Sequence, residues 1–169
     1  MQVAKLHPRL LAAAVLLLTA GRAAADGDEK ILAFETMAGV PVAYTAARSP
    51  IRGVNGGGLP WTLREGKGEL RADGRVEVKV RGLVLADDPV VPSERRLTNP
   101  VAAFRVKVSC LGVDAAGQPT TVNVTTGDFP ATPSGDAEIE AALDLPVPCI
   151  APIVFVTNPA GAWFASTGG

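Results

Sequence analysis

Histidine is nearly absent from this chain of 169 residues, and the single one, His7, lies in an N-terminal segment with the features of a secretion signal. Without histidine, serine and cysteine nucleophiles lack their usual general base, and zinc and copper lack a usual ligand. A blue-copper site, which needs two histidines, is therefore excluded. Gly66-Lys67 is followed by glycine instead of the Ser or Thr that a phosphate-binding loop requires. We expect no cofactor.

The N-terminal segment predicts a cleavable signal peptide over residues 1–25. Lys5 and Arg9 form a basic start, Leu10 to Ala20 is an apolar run, and small residues end at Ala25. The run is shorter than the about 20 residues of a membrane-spanning helix, and polar residues begin at Asp26. The alanine-rich signal is typical of bacteria. We therefore expect residues 26–169 to be secreted, either outside the cell or into the periplasm.

Neither charge sign is in marked excess. Removing residues 1–25 would take away three basic residues and no acidic ones, which leaves 13 basic and 17 acidic residues and a net charge of −4. A nucleic-acid-binding protein usually has a basic face, whereas both signs are scattered here. The most apolar later stretch, residues 145–156, contains three prolines, which a spanning helix tolerates badly. We expect no nucleic-acid partner and no membrane span.

Cysteine is scarce, and both copies, Cys110 and Cys149, lie in the predicted exported part. An oxidising compartment favours their pairing in one intramolecular disulfide. Free, redox-active or intermolecular thiols are the alternative.

Strand patterning dominates the chain from residue 31 onward. Apolar residues alternate with period two, turn signals recur, and helical periodicity is almost absent. The clearest hairpin has a three-residue loop, Ala72-Asp73-Gly74, because pairing Leu70 with Val76 keeps one face apolar. Gly82 then predicts a bulge in the strand Arg75 to Leu85.

Two further strands have features that place them in a core. Cys110 shares the apolar face of its strand with Phe104, Val106 and Val108, while Ile153 to Val156 is an unbroken apolar run typical of a strand buried on both faces. We therefore predict a single all-β domain over residues 26–169. The expected architecture is an antiparallel β-sandwich with one disulfide, and a closed β-barrel is the alternative.

The most unusual loop contains Gly56, Gly57 and Gly58 and leads into Trp61. Glycines let a backbone approach a partner closely, so this loop is the candidate ligand-binding site. Trp61 has two interpretations. It either anchors the loop on the core or stands exposed as a stacking platform for a sugar or peptide.

Four acidic residues form the candidate cation site: Asp136, Glu138, Glu140 and Asp144. In a strand they share one side, opposite Ile139 and its apolar neighbours, although a short helix beginning at Ser134 is an alternative. An acidic ridge can bind calcium, but it lacks the Asp-rich loop that wraps the ion. A solvated face and carboxylate catalysis are the other interpretations.

The run from Gly68 to Leu83, with Asp73-Gly74 at its turn and Val76, Val78 and Val80 after it, resembles a hairpin of many uncharacterised secreted bacterial β-sandwich proteins. The resemblance covers about 16 residues and implies a fold and no activity. Taken together, these patterns predict a noncatalytic secreted protein that binds an extracellular ligand or a cell-envelope component. The alternative is an extracellular hydrolase, because glycosidase chemistry needs only two carboxylates.

Overall fold

The computed structural model describes residues 29–168, so the predicted signal peptide, residues 1–25, lies outside the described residues. Twelve strands and two short 3₁₀ turns, Val42–Tyr44 and Ser93–Arg95, make up its regular structure. The strands are β1 Lys30–Phe34, β2 Ala38–Gly39, β3 Trp61–Thr62, β4 Glu65–Arg71, β5 Arg75–Arg81, β6 Val84–Leu85, β7 Ala103–Val113, β8 Pro119–Thr125, β9 Phe129–Pro130, β10 Ala137–Ala142, β11 Ile150–Thr157 and β12 Trp163–Ser166.

The strands form two main antiparallel sheets. The first has the order β1-β4-β5-β10, and the second has the order β2-β12-β11-β7-β8 with β9 also paired to β7. β3 and β6 form a small separate ribbon. The sheets are not closed into a barrel. The predicted antiparallel β-sandwich is therefore confirmed, and the barrel alternative is wrong.

The β4-β5 hairpin has the predicted register, with Leu70 opposite Val76. Gly74 adopts φ +89°, which is the left-handed conformation that the loop needs. The Asp73 carboxylate accepts a hydrogen bond from the Arg75 backbone N–H at 3.0 Å, as an Asx turn does. Local turn chemistry and the apolar face therefore agree.

Gly82 interrupts the strand Arg75 to Leu85 at the predicted position. It has φ +66° and separates β5, in the first sheet, from β6, in the small ribbon. Val80 pairs with Ala137 on β10, whereas the Leu83 N–H donates to the carbonyl oxygen of Gly135, so the alignment slips by one residue across Gly82, as it does at a bulge. The predicted interruption at Gly82 is therefore confirmed.

The core lies between the two sheets, and buried residues also cover the other face of the second sheet. Phe104, Val106, Val108 and Cys110 are fully buried on β7, and Cys110 forms the predicted disulfide with Cys149. On β11, Val154 to Val156 is buried on both faces, as predicted, whereas Ile153, which the prediction included, is only half-buried. Phe155 contacts Trp163, with ring centroids 6.0 Å apart. The second sheet is therefore covered on both sides along this strand.

Helices contribute little to this architecture. Within residues 29–168, none is long and apolar enough to cross a membrane.

Candidate functional site

Two glycines of the Gly-rich loop serve the packing of the protein itself. A Cβ on Gly56 would lie 2.1 Å from the Tyr44 carbonyl oxygen, and one on Gly57 would lie 2.9 Å from the Phe164 ring. Gly57 also donates its N–H to the Trp163 carbonyl oxygen at 2.8 Å. The close approach that the loop composition predicts is thus made to β12 and its neighbours. Only Gly58 is exposed and has open space beside it.

Trp61 is a core anchor. Only 5% of the residue is exposed, and its ring stacks on Phe164 with a centroid separation of 3.7 Å and an interplanar angle of 14°. Phe104 meets the same ring edge-on at 6.5 Å. Of the two interpretations of Trp61, the core anchor is confirmed and the exposed stacking platform is wrong. Pro60 and the glycines turn the indole inward because the aromatic cluster offers it more contact than the surface would.

An open groove runs beside this anchor, and we call it the Trp61 groove. Its volume is about 550 Å³. The residues that line it include Gly58, Trp61, Leu85, Val90, Arg95, Asn158 and Phe164. Among the described residues, its lining contains no carboxylate, hydroxyl, thiol or imidazole. The groove is therefore a mainly apolar surface with one cationic side chain, Arg95, and one amide side chain, Asn158.

The segment between β6 and β7 supplies the outer wall of the groove. Val91 is buried and anchors this segment, whereas its neighbour Val90 is 52% exposed. The backbone N–H of Val91 donates to the Asp88 carbonyl oxygen, which makes a turn that presents Val90. The sequence signal that would have found this wall is the apolar pair Val90-Val91 between two prolines in an otherwise polar loop.

The two arginines of this segment have different surroundings. Arg96 donates to the Val91 carbonyl oxygen at 3.0 Å and lies 3.4 Å from a carboxylate oxygen of Asp87. Within residues 29–168, the guanidinium of Arg95 has no hydrogen bond or ion pair. Arg95 is thus a cation on the groove wall whose charge is not compensated by a neighbouring carboxylate.

The four acidic residues predicted as a cation site are not brought together. Glu138 and Glu140 lie on the solvent face of β10, as the strand interpretation predicts, with Ile139 buried behind them. Asp136 precedes this strand and Asp144 follows it. In the described part of the chain, no group of three acidic, cysteine or histidine side chains is placed to hold a metal ion.

Two of these carboxylates have structural partners instead. Asp136 accepts a hydrogen bond from the Gly82 N–H at 2.8 Å, which is the main cause of its lowered pKa. Glu138 pairs with Lys79 and with Arg81, and the hydrogen bond from Lys79 contributes most to lowering its pKa. Asp136 therefore fixes the turn at Gly82, and Glu138 lies in an ion-pair network on an exposed face.

The lowered pKa values predict acid sensitivity. Because the folded pKa of Asp136 and of Glu138 lies below the unfolded value of about 4, their ionised forms stabilise the fold above that pH. This contribution is lost as the pH falls through the folded pKa. We expect the urea midpoint to be steady between about pH 7 and pH 5 and to fall below about pH 4.

The matched variant for this prediction is Asp136→Asn, which keeps an oxygen acceptor for the Gly82 N–H and cannot titrate. Its midpoint should fall less steeply below about pH 4 than that of the wild type. Equal slopes in the two proteins would contradict a stabilising role for the Asp136 charge.

No family model, no curated protein and no solved structure matches the chain.

Proposed function

We propose that the protein is a noncatalytic, secreted binding protein whose Trp61 groove takes a ligand with an apolar body and one acidic group, such as an anionic cell-envelope component. The observation that carries this proposal is the combination of an apolar groove with the uncompensated guanidinium of Arg95 on its wall.

The apolar inner wall of the Trp61 groove is rigid, and the groove has the size of a small-ligand site. Trp61, Leu85 and Phe164 are at least nine-tenths buried, so the inner wall is part of the packed core and is formed before any ligand arrives. A volume of about 550 Å³ lies within the range of small-ligand sites. Val90 contributes exposed apolar surface that a ligand would remove from water.

Arg95 supplies the positive charge of the groove. A guanidinium binds a carboxylate or phosphate through two parallel N–H donors, and such charge-assisted hydrogen bonds are stronger than neutral ones. Arg96, one residue further on, already has Asp87 as a partner. Arg95 is therefore the side chain on this wall that is available to orient an acidic group.

Two observations support a noncatalytic role over the hydrolase alternative. The groove lining holds none of the side chains that act as nucleophile or general acid and base, namely carboxylate, hydroxyl, thiol and imidazole. Glu138 pairs with cations that lower its pKa, whereas a general acid needs a raised one. The disulfide supports secretion, because such bonds persist in oxidising compartments.

Decanoate is a suitable probe for this proposal, with decanol as the uncharged comparison. We expect decanoate to raise the melting temperature and to change tryptophan fluorescence, and we expect decanol to do so only at higher concentration. Arg95→Gln should weaken decanoate binding by about tenfold or more, since a hydrogen bond to a charged group is worth about 1.5–3 kcal/mol.

Val90→Ser should weaken the binding of both probes, because it removes apolar surface from the groove. Leu97→Ser is the matched control, since Leu97 is 59% exposed and does not line the groove. Decanoate affinity that is unchanged by Arg95→Gln and Val90→Ser would refute the groove as the site. Turnover of glycosides or esters that Glu138→Gln abolishes would support the hydrolase instead.

A further inference from the structure

β8 is an edge strand with an unpaired side. It lies at the end of the second sheet and pairs only with β7 in the part of the chain that is described. The Thr126 N–H donates to the Val106 carbonyl oxygen, and the Gln118 carbonyl oxygen accepts from Asp114. Because backbone groups alternate in direction along a strand, the N–H and C=O groups of the even-numbered residues of β8 point toward β7. The N–H and C=O groups of Thr121, Asn123 and Thr125 therefore point outward.

This edge differs from the other long edges of the two sheets. β1 begins with Lys30, and β10 carries Glu138 and Glu140, whereas β8 contains no charged residue. Charged side chains on an edge keep other strands from pairing with it. The Thr and Val residues of β8 have high strand propensity, so the edge is suited to accept another strand.

From these features we propose that two copies of the protein associate through β8, pairing edge to edge about a two-fold axis at Asn123. An antiparallel strand can pair with a second copy of itself, and the outward-facing residues permit a symmetric register. In that register Asn123 lies opposite Asn123 of the second copy, and Thr121 lies opposite Thr125. Each outward N–H then meets a carbonyl oxygen of the other copy.

Side-chain packing favours the same register. Val122 and Val124 are half-buried because one side of their strand is open. In the symmetric pair, Val122 of each copy lies opposite Val124 of the other, which forms an apolar row across the axis. Threonines face each other on the opposite side, and this pairing is favourable across strands. No like charges oppose each other.

The features at either end limit the paired segment. Pro119 has no N–H and stands at the start of β8, where its ring does not interrupt the three outward-facing residues. At the other end the pairing with β7 shifts by one residue between Thr125 and Phe129, as a bulge does. One strand pair is a small interface beside the about 800 Å² per partner of a standard complex, so we expect a reversible dimer.

Sedimentation velocity of the purified protein tests this proposal from micromolar to submillimolar concentration. We expect the wild type to shift from monomer to dimer as concentration rises. Asn123→Lys should raise the dissociation constant by about tenfold or more, because it places two cations opposite each other at the axis. Asn123→Pro should act similarly, because it removes an outward N–H while leaving the backbone bonds to β7 intact. Both substitutions also remove the hydrogen bond from the Asn123 side chain to the Arg52 carbonyl oxygen, and melting temperatures measure its cost.

Glu140→Lys on the solvent face of β10 is the control and should leave the dimer unchanged. Melting temperatures of all variants show whether each one folds. A wild type that is monomeric at every concentration would overturn the proposal. It would favour an extended peptide of another protein as the partner of β8. A dimer unaffected by both Asn123 substitutions would also overturn it.

The register has a separate test. Opposed residues of a hydrogen-bonded pair have Cα atoms about 5.5 Å apart, within the range of a disulfide. Under mild oxidation, Asn123→Cys should therefore give a covalent dimer, and Gln118→Cys in the preceding loop should not. Equal cross-linking of both variants would rule out the symmetric register.

Discussion

Replacing Trp61 by Ala is expected to lower the free energy of unfolding by about 3–5 kcal/mol, the usual cost of truncating a large buried aromatic side chain. The ring stacks on Phe164 and meets Phe104, so its removal opens a cavity that touches both. The Gly-rich loop also loses its packing partner, because Gly57 lies against the indole nitrogen. Urea unfolding followed by circular dichroism measures the loss.

Two comparisons separate this effect from a general sensitivity of the region. Trp61→Phe keeps an aromatic ring against Phe164 and should cost clearly less than Trp61→Ala. Val90→Ala, on the exposed side of the same groove, should change stability by no more than about 0.5 kcal/mol. Because both tryptophans are buried, an aqueous quencher should act weakly on the native protein. A loss below about 1 kcal/mol for Trp61→Ala would contradict the anchor role.

The sandwich was predictable because its strands obey local rules. In β4 and β5, alternation and the Asp73-Gly74 turn each specify the same register, and the structure has that register. In β7, the position of Cys110 on the apolar face was enough to place one half of the disulfide in the core. Where the side-chain period and the turn residues specify the same register, long-range packing changes that register little.

The loops were less predictable, because their conformations depend on residues far away in sequence. Gly56 and Gly57 are needed for close contact with Tyr44 and Phe164, and a glycine run looks the same when the close neighbour is a ligand. Gly82 lies between β5 and β6, where Leu83 donates a hydrogen bond to Gly135, a residue far away in sequence. The Trp61 groove was missed because its walls come from segments separated by tens of residues.

The acidic residues of β10, Glu138 and Glu140, show a third limit of prediction from the sequence. Alternation correctly placed Glu138 and Glu140 on the solvent face of β10, but it could not show which side chains of β5 lie opposite them. Lys79 and Arg81 on β5 reach Glu138 because of the pairing register. That register gives Glu138 ion pairs and leaves Glu140 opposite another carboxylate, Glu77. A strand pattern therefore identifies the exposed carboxylates and leaves their partners to the neighbouring strand.

Removing the disulfide by the double substitution Cys110→Ala and Cys149→Ala is expected to lower the free energy of unfolding by about 4 kcal/mol in the chain-entropy model. The two cysteines are 39 residues apart, and the loop between them contains β8, β9 and β10. The chain passes from the second sheet to the first and back within that loop. The cross-link therefore restricts the unfolded chain over a segment that spans both sheets.

Reduction of the wild-type protein provides the control for this substitution. The double variant removes both the cross-link and the packing of the buried Cys110 sulfur, whereas reduction removes only the cross-link. Similar losses in the two cases would show that the cross-link dominates. The urea m-value should also rise in both, because an unfolded chain without the bond exposes more surface. A loss below about 1 kcal/mol would show that native packing, and not the restricted unfolded chain, determines stability here.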